Sequence, residues 1–221
     1  MNSRAIGRLL SFIRYIFFEI ISANFNTAYF KNFMDFAYVF FEKIAVSFEI
    51  LSTYYLMFYD ELVEKEVKMA GISKNSNVLV IGCGSLPATT ALISSKTNAN
   101  IISIDYDQKA VENASKFFKN LNTKSNVKTI YADGHLYPIK GFDVIFILYG
   151  IKKQNEMLKY ISKKIENNTR VIFRTSQDSL VQIIGGTGFL SQWFTIKDCI
   201  SSERIYTSDS YLLTKKKNNK D

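Results

Sequence analysis

An apolar run that leads into two glycines and a proline constrains the fold of this chain more than any other feature. Residues 78–81, Val-Leu-Val-Ile, predict a short buried strand, and the loop Gly82-Cys83-Gly84-Ser85-Leu86-Pro87 follows at once. Gly82 permits a tight turn and Gly84 lets a ligand approach the backbone, while Pro87 suits the first position of a helix. That helix offers unpaired backbone N–H groups to an anion. We therefore predict a strand, a turn and a helix that bind a ligand together.

Short apolar runs rich in Val and Ile alternate with helical patterns from Gly71 onward. The predicted strands span 78–81, 101–104, 127–131, 143–148 and 170–174, and the predicted helices span 87–96, 108–120 and 157–165. This alternation is typical of a parallel sheet with helices on both faces. Two further strand-like runs, 193–200 and 210–214, have no long helix between them and predict an antiparallel pair. We expect an α/β fold with a doubly wound, mostly parallel sheet of the Rossmann type.

The first seventy residues have a different character, because they contain no proline, are crowded with Phe and Tyr, and predict consecutive helices. We therefore predict a small helical N-terminal domain at 1–70. The ligand-binding α/β domain is predicted at 71–214, and a disordered polar tail at 215–221.

The most apolar stretch of the N-terminal region, residues 5–25, raises the question of a membrane anchor. It carries Arg8, Arg14 and Glu19, and each such charge costs about 2.5–3.5 kcal/mol near the centre of a bilayer. The two arginines also interrupt the apolar run that a signal peptide needs, and no clear cleavage site follows. We expect no membrane span and a cytoplasmic protein.

The formal net charge is +8, and many of the lysines fall in residues 152–164 and in the tail. Such a basic patch can track phosphates, but a solvated helix face and a frayed terminus explain the same residues, and we favour that interpretation. Nucleic acid is therefore an alternative partner rather than the expected one. Two Cys and one His are too few for a disulfide framework or a soft-metal site, so we expect no bound metal.

An acidic residue ends the second predicted strand, about twenty residues after the glycine turn. Asp105 has the spacing at which a carboxylate meets a ribose hydroxyl, and Tyr106 follows it. A dinucleotide fingerprint would have a third Gly where this chain has Pro87. S-adenosylmethionine has no phosphates, and its carboxylate suits the amino end of a helix. We predict S-adenosylmethionine as the cofactor, bound by residues 82–87, Asp105 and Tyr106; a nicotinamide or flavin nucleotide, or no ligand, is the alternative.

Asp133 and Gly134 follow the third predicted strand, at the edge of the sheet where ligands bind in this fold class. Asp133 could accept a hydrogen bond from an adenine amine, which would place both residues in the cofactor site. An Asp-Gly pair is also typical of a plain turn, and the sequence favours the two interpretations about equally. We interpret the neighbouring His135 as a surface residue rather than a catalyst.

Two segments resemble the nicotianamine synthases. Gly82-Cys83-Gly84-Ser85-Leu86-Pro87-Ala88-Thr89 is similar to the GxGxLPxT loop of that family, and Arg170-Val171-Ile172-Phe173-Arg174-Thr175 is similar to its fifth strand. The resemblance covers roughly residues 50–214. It implies a methyltransferase-like Rossmann domain behind a helical one. It also implies an enzyme that transfers an aminobutanoyl group from S-adenosylmethionine to a small-molecule amine or amino acid, with release of methylthioadenosine, as in relatives that make metallophores.

The same family places a Glu on the helix before the glycine loop, after a Tyr-containing segment, and Glu61 and Glu64 are the two candidates here. At about 100° per residue, this helix should carry one apolar stripe. The stripe consists of Leu51, Tyr54, Phe58, Leu62 and Met69. Glu61 lies at its edge and Glu64 points away, so desolvation should raise the pKa of Glu61 and suit it to act as a general base. A solvated Glu in a charged run is the alternative.

Tyr54 is the second catalytic candidate and Tyr55 is the candidate for lining the substrate pocket, while the default interpretation of both is a place in the core. Arg174 ends the fifth predicted strand, where its guanidinium could bind a substrate carboxylate bidentately, with an exposed salt bridge as the alternative. A methyltransferase acting on a small molecule or RNA, and a non-catalytic binding module, are the competing functions. The aromatic N-terminal region could pack against a second copy in a homodimer.

Overall fold

The structure, a computed structural model, describes residues 49–121, 126–149, 151–176, 180–181, 185–202 and 208–216. The chain divides into two compact units, residues 1–54 and 55–221. The predicted helical domain at 1–70 lies mostly outside the described residues, as does most of the predicted tail. None of the helices in the described part is long and apolar enough to span a bilayer.

Strands and helices alternate along the described part of the chain. The helices are α1 (Glu49–Ala70), α2 (Ala88–Thr97), α3 (Gln108–Asn120), α4 (Gln154–Lys164) and α5 (Gly186–Trp193). The strands are β1 (Asn77–Ile81), β2 (Asn100–Asp105), β3 (Val127–Tyr131), β4 (Val144–Ile147), β5 (Arg170–Ser176), β6 (Phe194–Ser202) and β7 (Ser208–Lys215). The alternation predicted from β1 to β5 is therefore present.

The seven strands form one sheet in the order β3-β2-β1-β4-β5-β7-β6. Strands β1 to β5 run parallel, whereas β7 is antiparallel to both β5 and β6. The predicted Rossmann-like sheet with an antiparallel end is thus confirmed. The strand order reverses between β1 and β4, and ligands bind outside the carboxyl ends of strands at such a switch point. We call this place the crevice; the glycine turn after β1 lies there.

The central strands β1 and β4 are buried on both faces, because their side chains alternate between two helical layers. In β1, Val78 and Val80 pack with α1 and α2, while Leu79 and Ile81 pack with α4 and α5. These four side chains are at most 3% exposed. Because each buried aliphatic side chain contributes about 1.5–3 kcal/mol, β1 is a firm support for the turn that follows it.

The carboxyl end of α1 is fixed to the opposite, amino edge of the sheet. Gly71 adopts a left-handed φ of +57° after the helix, and the N–H of Ile72 donates to the Val67 carbonyl at 3.1 Å, as is usual where a glycine ends a helix. Arg170, the first residue of β5, donates to the Ala70 carbonyl. These contacts fix the position of the last turn of α1 relative to β5.

Most predicted elements begin or end within one or two residues of the observed ones, and three elements differ in ways that have a physical reason. Helix α4 begins at Gln154, three residues earlier than predicted, directly after Lys153 with a left-handed φ of 54°. Helix α5 was not predicted, because its glycines have low helix propensity; the fully buried Leu190 packs it against the core. Strand β7 extends to Lys215, the first residue of the predicted tail.

Strand β6 is an edge strand with an irregularity in its pairing. Ile196 pairs with Leu213 and Asp198 pairs with Leu212, so that Lys197 is an extra residue between them. Such a bulge bends a strand and interrupts its ladder of hydrogen bonds.

Candidate active site

The turn after β1 has a backbone geometry that glycine adopts readily. Gly82 has a φ of +81° and Gly84 a φ of +68°, both in the left-handed region. The N–H groups of Gly82 and Cys83 donate to the Ile104 carbonyl at 2.9 and 3.2 Å, which fixes the turn to β2. A Cβ at position 82 would lie 3.1 Å from the Ile151 side chain. Backbone conformation and a close neighbour therefore both favour glycine at position 82.

Asp105 ends β2 and ties that strand to the glycine turn. One carboxylate oxygen accepts the Gly84 N–H at 2.9 Å, and the other accepts the Asp107 N–H at 3.0 Å. Asp105 is 8% exposed, and this burial raises the pKa of its carboxyl group against the opposing effect of those hydrogen bonds. Because a carboxylate has about four lone-pair positions, Asp105 keeps acceptor capacity for the hydroxyl groups of a ligand.

The amino end of α2 is open to a ligand. Pro87 is the N-cap residue, and no side chain in the described part of the chain caps this helix. Cys83, Ser85 and Leu86 are at most 7% exposed, so a ligand would meet chiefly the backbone of the loop. S-adenosylmethionine has a carboxylate for the N–H groups of α2 and ribose hydroxyls for Asp105. The residues present therefore fit this cofactor.

Tyr106, directly after β2, exposes 57% of its surface. The Lys152 ammonium lies 5.5 Å from the centroid of its ring, a cation–π distance. Lys152 belongs to the loop after β4 and Tyr106 to the loop after β2, so this contact joins the two strands that flank β1. Cofactor contact by Tyr106 stays a prediction.

The loop after β3 forms a compact turn. Asp133 Oδ1 accepts the His135 N–H at 2.9 Å and lies 2.9 Å from the ring nitrogen Nδ1, and these two hydrogen bonds lower the pKa of Asp133. A Cβ at Gly134 would lie 2.5 Å from the Ile81 side chain and 2.9 Å from that of Met157. Glycine is therefore needed here for packing between β1 and α4. Turn formation accounts for these contacts, and the adenine contact of Asp133 stays a prediction.

The side chains that could bind a metal ion are scattered over the described part of the chain. Across the described ranges, no group of three or more His, Cys, Asp or Glu side chains is arranged to hold a metal ion. Cys83 is buried in the glycine turn, whereas Cys199 is exposed on β6.

Glu61 and Glu64 lie on α1, each with a lysine one turn further on. Glu61 is 2.9 Å from Lys65 and its side chain is 48% exposed, which differs from the desolvated position expected from the sequence. Glu64 is 2.6 Å from Lys68, and this hydrogen bond lowers the pKa of Glu64. The role of Glu61 as a general base stays a prediction.

The buried face of α1 is rotated from the predicted stripe. Its members are Tyr59, Leu62, Val63, Glu66 and Ala70, all at most 9% exposed. Tyr55 is half-buried, and its ring centroid lies 5.0 Å from that of Tyr59. A pocket role for Tyr55 stays a prediction, and the side chain of Tyr54, with its predicted catalytic role, lies outside the described part.

Arg174, near the end of β5, forms a buried ion pair. Its Nε and Nη2 donate to the two carboxylate oxygens of Glu66 at 3.0 and 2.6 Å. Arg174 is 3% exposed and Glu66 is 0% exposed. Burial by itself lowers the pKa of Arg174, but the charge and hydrogen bonds of Glu66 outweigh it and raise the pKa above its usual value. The bidentate contact expected of Arg174 is made here with a carboxylate of the protein, and its substrate role stays a prediction.

Two hydroxyl groups and one ring complete this network. Arg174 Nη1 donates to Thr89 Oγ1 at 3.1 Å, and Ser210 Oγ donates to Glu66 Oε1 at 2.6 Å. The guanidinium carbon lies 5.5 Å from the ring centroid of Tyr59. Sequence reasoning missed Glu66 because it belongs to a charged run that looks solvated. Its helical spacing from Tyr59 was the signal that could have placed it on the buried face.

Residues 72–216 match the family of methyltransferase domains. The matched range includes every strand of the sheet, the glycine turn and Asp105. The chain belongs to the methyltransferase-domain family. The predicted enzyme class and cofactor, a transferase that uses S-adenosylmethionine, are confirmed by this membership.

Solved structures share the fold of this methyltransferase domain. MtNAS in complex with MTA and tNA superposes with a TM-score of 0.73 and 18% identity, over 98% of this chain and 90% of that chain. An RNA methyltransferase from Salinibacter ruber in complex with S-adenosyl-L-homocysteine superposes with a TM-score of 0.56 and 14% identity, over 73% of this chain and 95% of that chain. The resemblance to nicotianamine synthases is thus confirmed at the level of the fold.

One curated relative matches part of this chain in sequence. L-histidine 2-aminobutanoyltransferase from Yersinia pestis is 29% identical over 76 residues. This match covers 34% of the present chain and 29% of the relative, which is less than a third of the relative's length.

We expect Asp105→Ala to weaken the binding of S-adenosylmethionine about ten- to hundredfold, because hydrogen bonds to a charged group contribute about 1.5–3 kcal/mol each. Isothermal titration calorimetry with the purified protein measures the change. Asp107→Ala is the matched control, since its carboxylate caps α3 by accepting the Lys109 N–H at 2.8 Å. The control should lose about 1 kcal/mol of stability and keep its affinity. Equal affinity of wild type and Asp105→Ala would remove the ribose role of Asp105.

Proposed function

We propose that this chain is an S-adenosylmethionine-dependent aminobutanoyl transferase that acts on a small-molecule amine or amino acid, as nicotianamine synthases do. The observation that carries the proposal is the turn from Gly82 to Thr89, in which Pro87 and the amino end of α2 follow two left-handed glycines. Partial sequence identity with L-histidine 2-aminobutanoyltransferase and the fold of MtNAS support it. A helical domain at 1–70 and a nicotianamine-like, metal-chelating product belong to the same proposal.

The chain's own residues have separate tasks in the proposed reaction. When bound, S-adenosylmethionine supplies an electrophilic γ-carbon, whose bond to the positive sulfur breaks with the electron pair staying on sulfur in methylthioadenosine. The amino end of α2 holds the carboxylate and Asp105 holds the ribose. Glu61 takes one proton from the acceptor ammonium, so that its nitrogen can bond to the γ-carbon. Placing that nitrogen opposite the γ-carbon rather than the methyl carbon decides the reaction type.

We expect the protein to convert S-adenosylmethionine to methylthioadenosine in the presence of an acceptor, and chromatography of the nucleoside products measures this. The acceptor should gain one aminobutanoyl group, which mass spectrometry detects. Heat-inactivated protein and reactions without acceptor are the controls, because S-adenosylmethionine also decomposes slowly by itself. Acceptor-dependent formation of S-adenosylhomocysteine instead would reject the proposal.

The second candidate is a methyltransferase that acts on a small molecule or RNA. The net charge of +8 and the similarity in fold to an RNA methyltransferase favour RNA over other substrates within this alternative. It requires S-adenosylhomocysteine as the nucleoside product, together with RNA binding that weakens steeply with salt.

A further inference from the structure

The ion pair of Glu66 and Arg174 connects elements that come together only in the folded chain. Glu66 lies on α1, Arg174 on β5 and Ser210 on β7, while Thr89 is the second residue of α2. The third nitrogen of Arg174 reaches this threonine at 3.1 Å. Thr89 is 4% exposed and lies two residues after the N-cap Pro87. The network thus ends in the first turn of α2, directly after the glycine turn.

We propose that Arg174, held by Glu66, is a positioning residue for the cofactor: through Thr89 it fixes the first turn of α2 and, with it, the glycine turn. This inference rests on the proposed function in one respect, namely that the carboxylate of S-adenosylmethionine lies at the amino end of α2. It does not depend on which carbon of the cofactor is transferred.

Arg174 acts on the cofactor indirectly, because its guanidinium is already hydrogen-bonded to protein side chains. Each of its three nitrogens donates to a protein oxygen, of Glu66 or Thr89. The side chain is 4% exposed, and the Tyr59 ring lies over it. A bidentate carboxylate holds the planar fork in one orientation. The donor to Thr89 therefore has a fixed direction.

The first turn of α2 lacks the usual local support and is held by hydrogen bonds to the sheet. One joins Thr90 Oγ1 to Ser103 Oγ of β2 at 2.9 Å, and the other is the bond from Arg174 to Thr89. Within the described residues, no side chain caps this helix and no acidic residue lies in its first turn. The N–H groups that would hold a carboxylate are aligned only if that turn is held in place. The hydrogen bond from Arg174 to Thr89 Oγ1 anchors the turn to β5, an internal strand of the sheet.

Thr89→Val tests the inference, because it removes the acceptor of Arg174 and leaves the ion pair with Glu66 in place. Thr169→Val is the matched control: Thr169 is 2% exposed and its hydroxyl donates to the Phe142 carbonyl at 3.0 Å, at the amino edge of the sheet. Both variants should lose a similar, small amount of thermal stability. We expect Thr89→Val to bind S-adenosylmethionine about tenfold more weakly by calorimetry, and Thr169→Val to bind it like wild type.

The double variant Glu66→Leu with Arg174→Met provides a second test, because an apolar pair can replace a buried ion pair without loss of folding. We expect it to stay folded and to be more stable than either single variant, but to share the tenfold loss of affinity. The addition of Thr89→Val should weaken binding no further. Wild-type affinity in Thr89→Val, or in the folded double variant, overturns the inference while the proposed function stands. Formation of S-adenosylhomocysteine by wild type overturns the proposed function and leaves the affinity comparison valid.

Discussion

Glu61→Gln should reduce turnover by about 10²–10⁴-fold, the range that a positioned proton acceptor contributes, with affinity for S-adenosylmethionine unchanged. Glutamine keeps the shape and polarity of the side chain but cannot take a proton from the acceptor ammonium. Single-turnover rates at saturating cofactor, together with calorimetric affinity, separate the chemical step from binding. A small change in stability is expected, because the pair with Lys65 at 2.9 Å is exposed, and such pairs contribute about 0–1 kcal/mol.

Two controls make the Glu61 experiment specific. Lys65→Gln breaks the same surface pair and leaves the carboxylate in place, so it should retain turnover. Glu64→Gln makes the same substitution one turn along α1, where Lys68 lowers the pKa of Glu64 and makes it a weaker base. Full activity in Glu61→Gln would remove this residue from the mechanism, and loss of activity in Glu64→Gln alone would transfer the role of base to Glu64.

Removing one partner of the buried pair should destabilise the protein by about 3–5 kcal/mol, because the other charge is then left in the core without compensation. Glu66→Leu leaves the Arg174 guanidinium without its partner, and Arg174→Met does the same to the Glu66 carboxylate. In the wild type, Glu66 is 0% and Arg174 is 3% exposed. For a chain of this length the loss corresponds to a melting temperature lower by roughly 6–20 °C. Thermal unfolding followed by circular dichroism measures it.

The double variant tests whether the unpaired buried charge causes the loss of stability. Glu66→Leu combined with Arg174→Met removes both charges, so it should recover most of the lost stability, less about 1 kcal/mol for each hydroxyl left without its partner. Those hydroxyls are the ones of Ser210 and Thr89. Single variants that melt within about 2 °C of wild type would show that water reaches the pair and screens it.

Local sequence patterns were sufficient for the elements whose conformation depends on near neighbours. Strand β1, the turn at Gly82 and the start of α2 are each specified within about ten residues by apolar runs, glycine and proline. Helix α5 was missed for the opposite reason: its glycines disfavour a helix, and Leu190 stabilises it only by contacts with the core. The helix prediction thus failed where packing outweighs propensity.

In the candidate site, too, contacts between segments close in sequence could be predicted, whereas contacts between distant segments could not. Asp105 was predicted as a ligand from its spacing after the glycine turn, and the structure joins it directly to Gly84. The partner of Arg174 could not be predicted, because Glu66 lies 108 residues earlier in the chain and no pattern in either segment reveals the other. The apolar stripe predicted for α1 lies on a face next to the one that is buried. The prediction therefore makes Glu61 the desolvated carboxylate, whereas the buried one is Glu66.

The bulge in β6 limits how this molecule can associate with copies of itself. The free side of an outermost strand can recruit further strands from another chain unless charge or distortion prevents it. Here Lys197 interrupts the ladder, and both Lys197 and the following Asp198 are exposed. A continuous intermolecular sheet is therefore disfavoured along this border. A homodimer, which stays a prediction, would have to form through other surfaces.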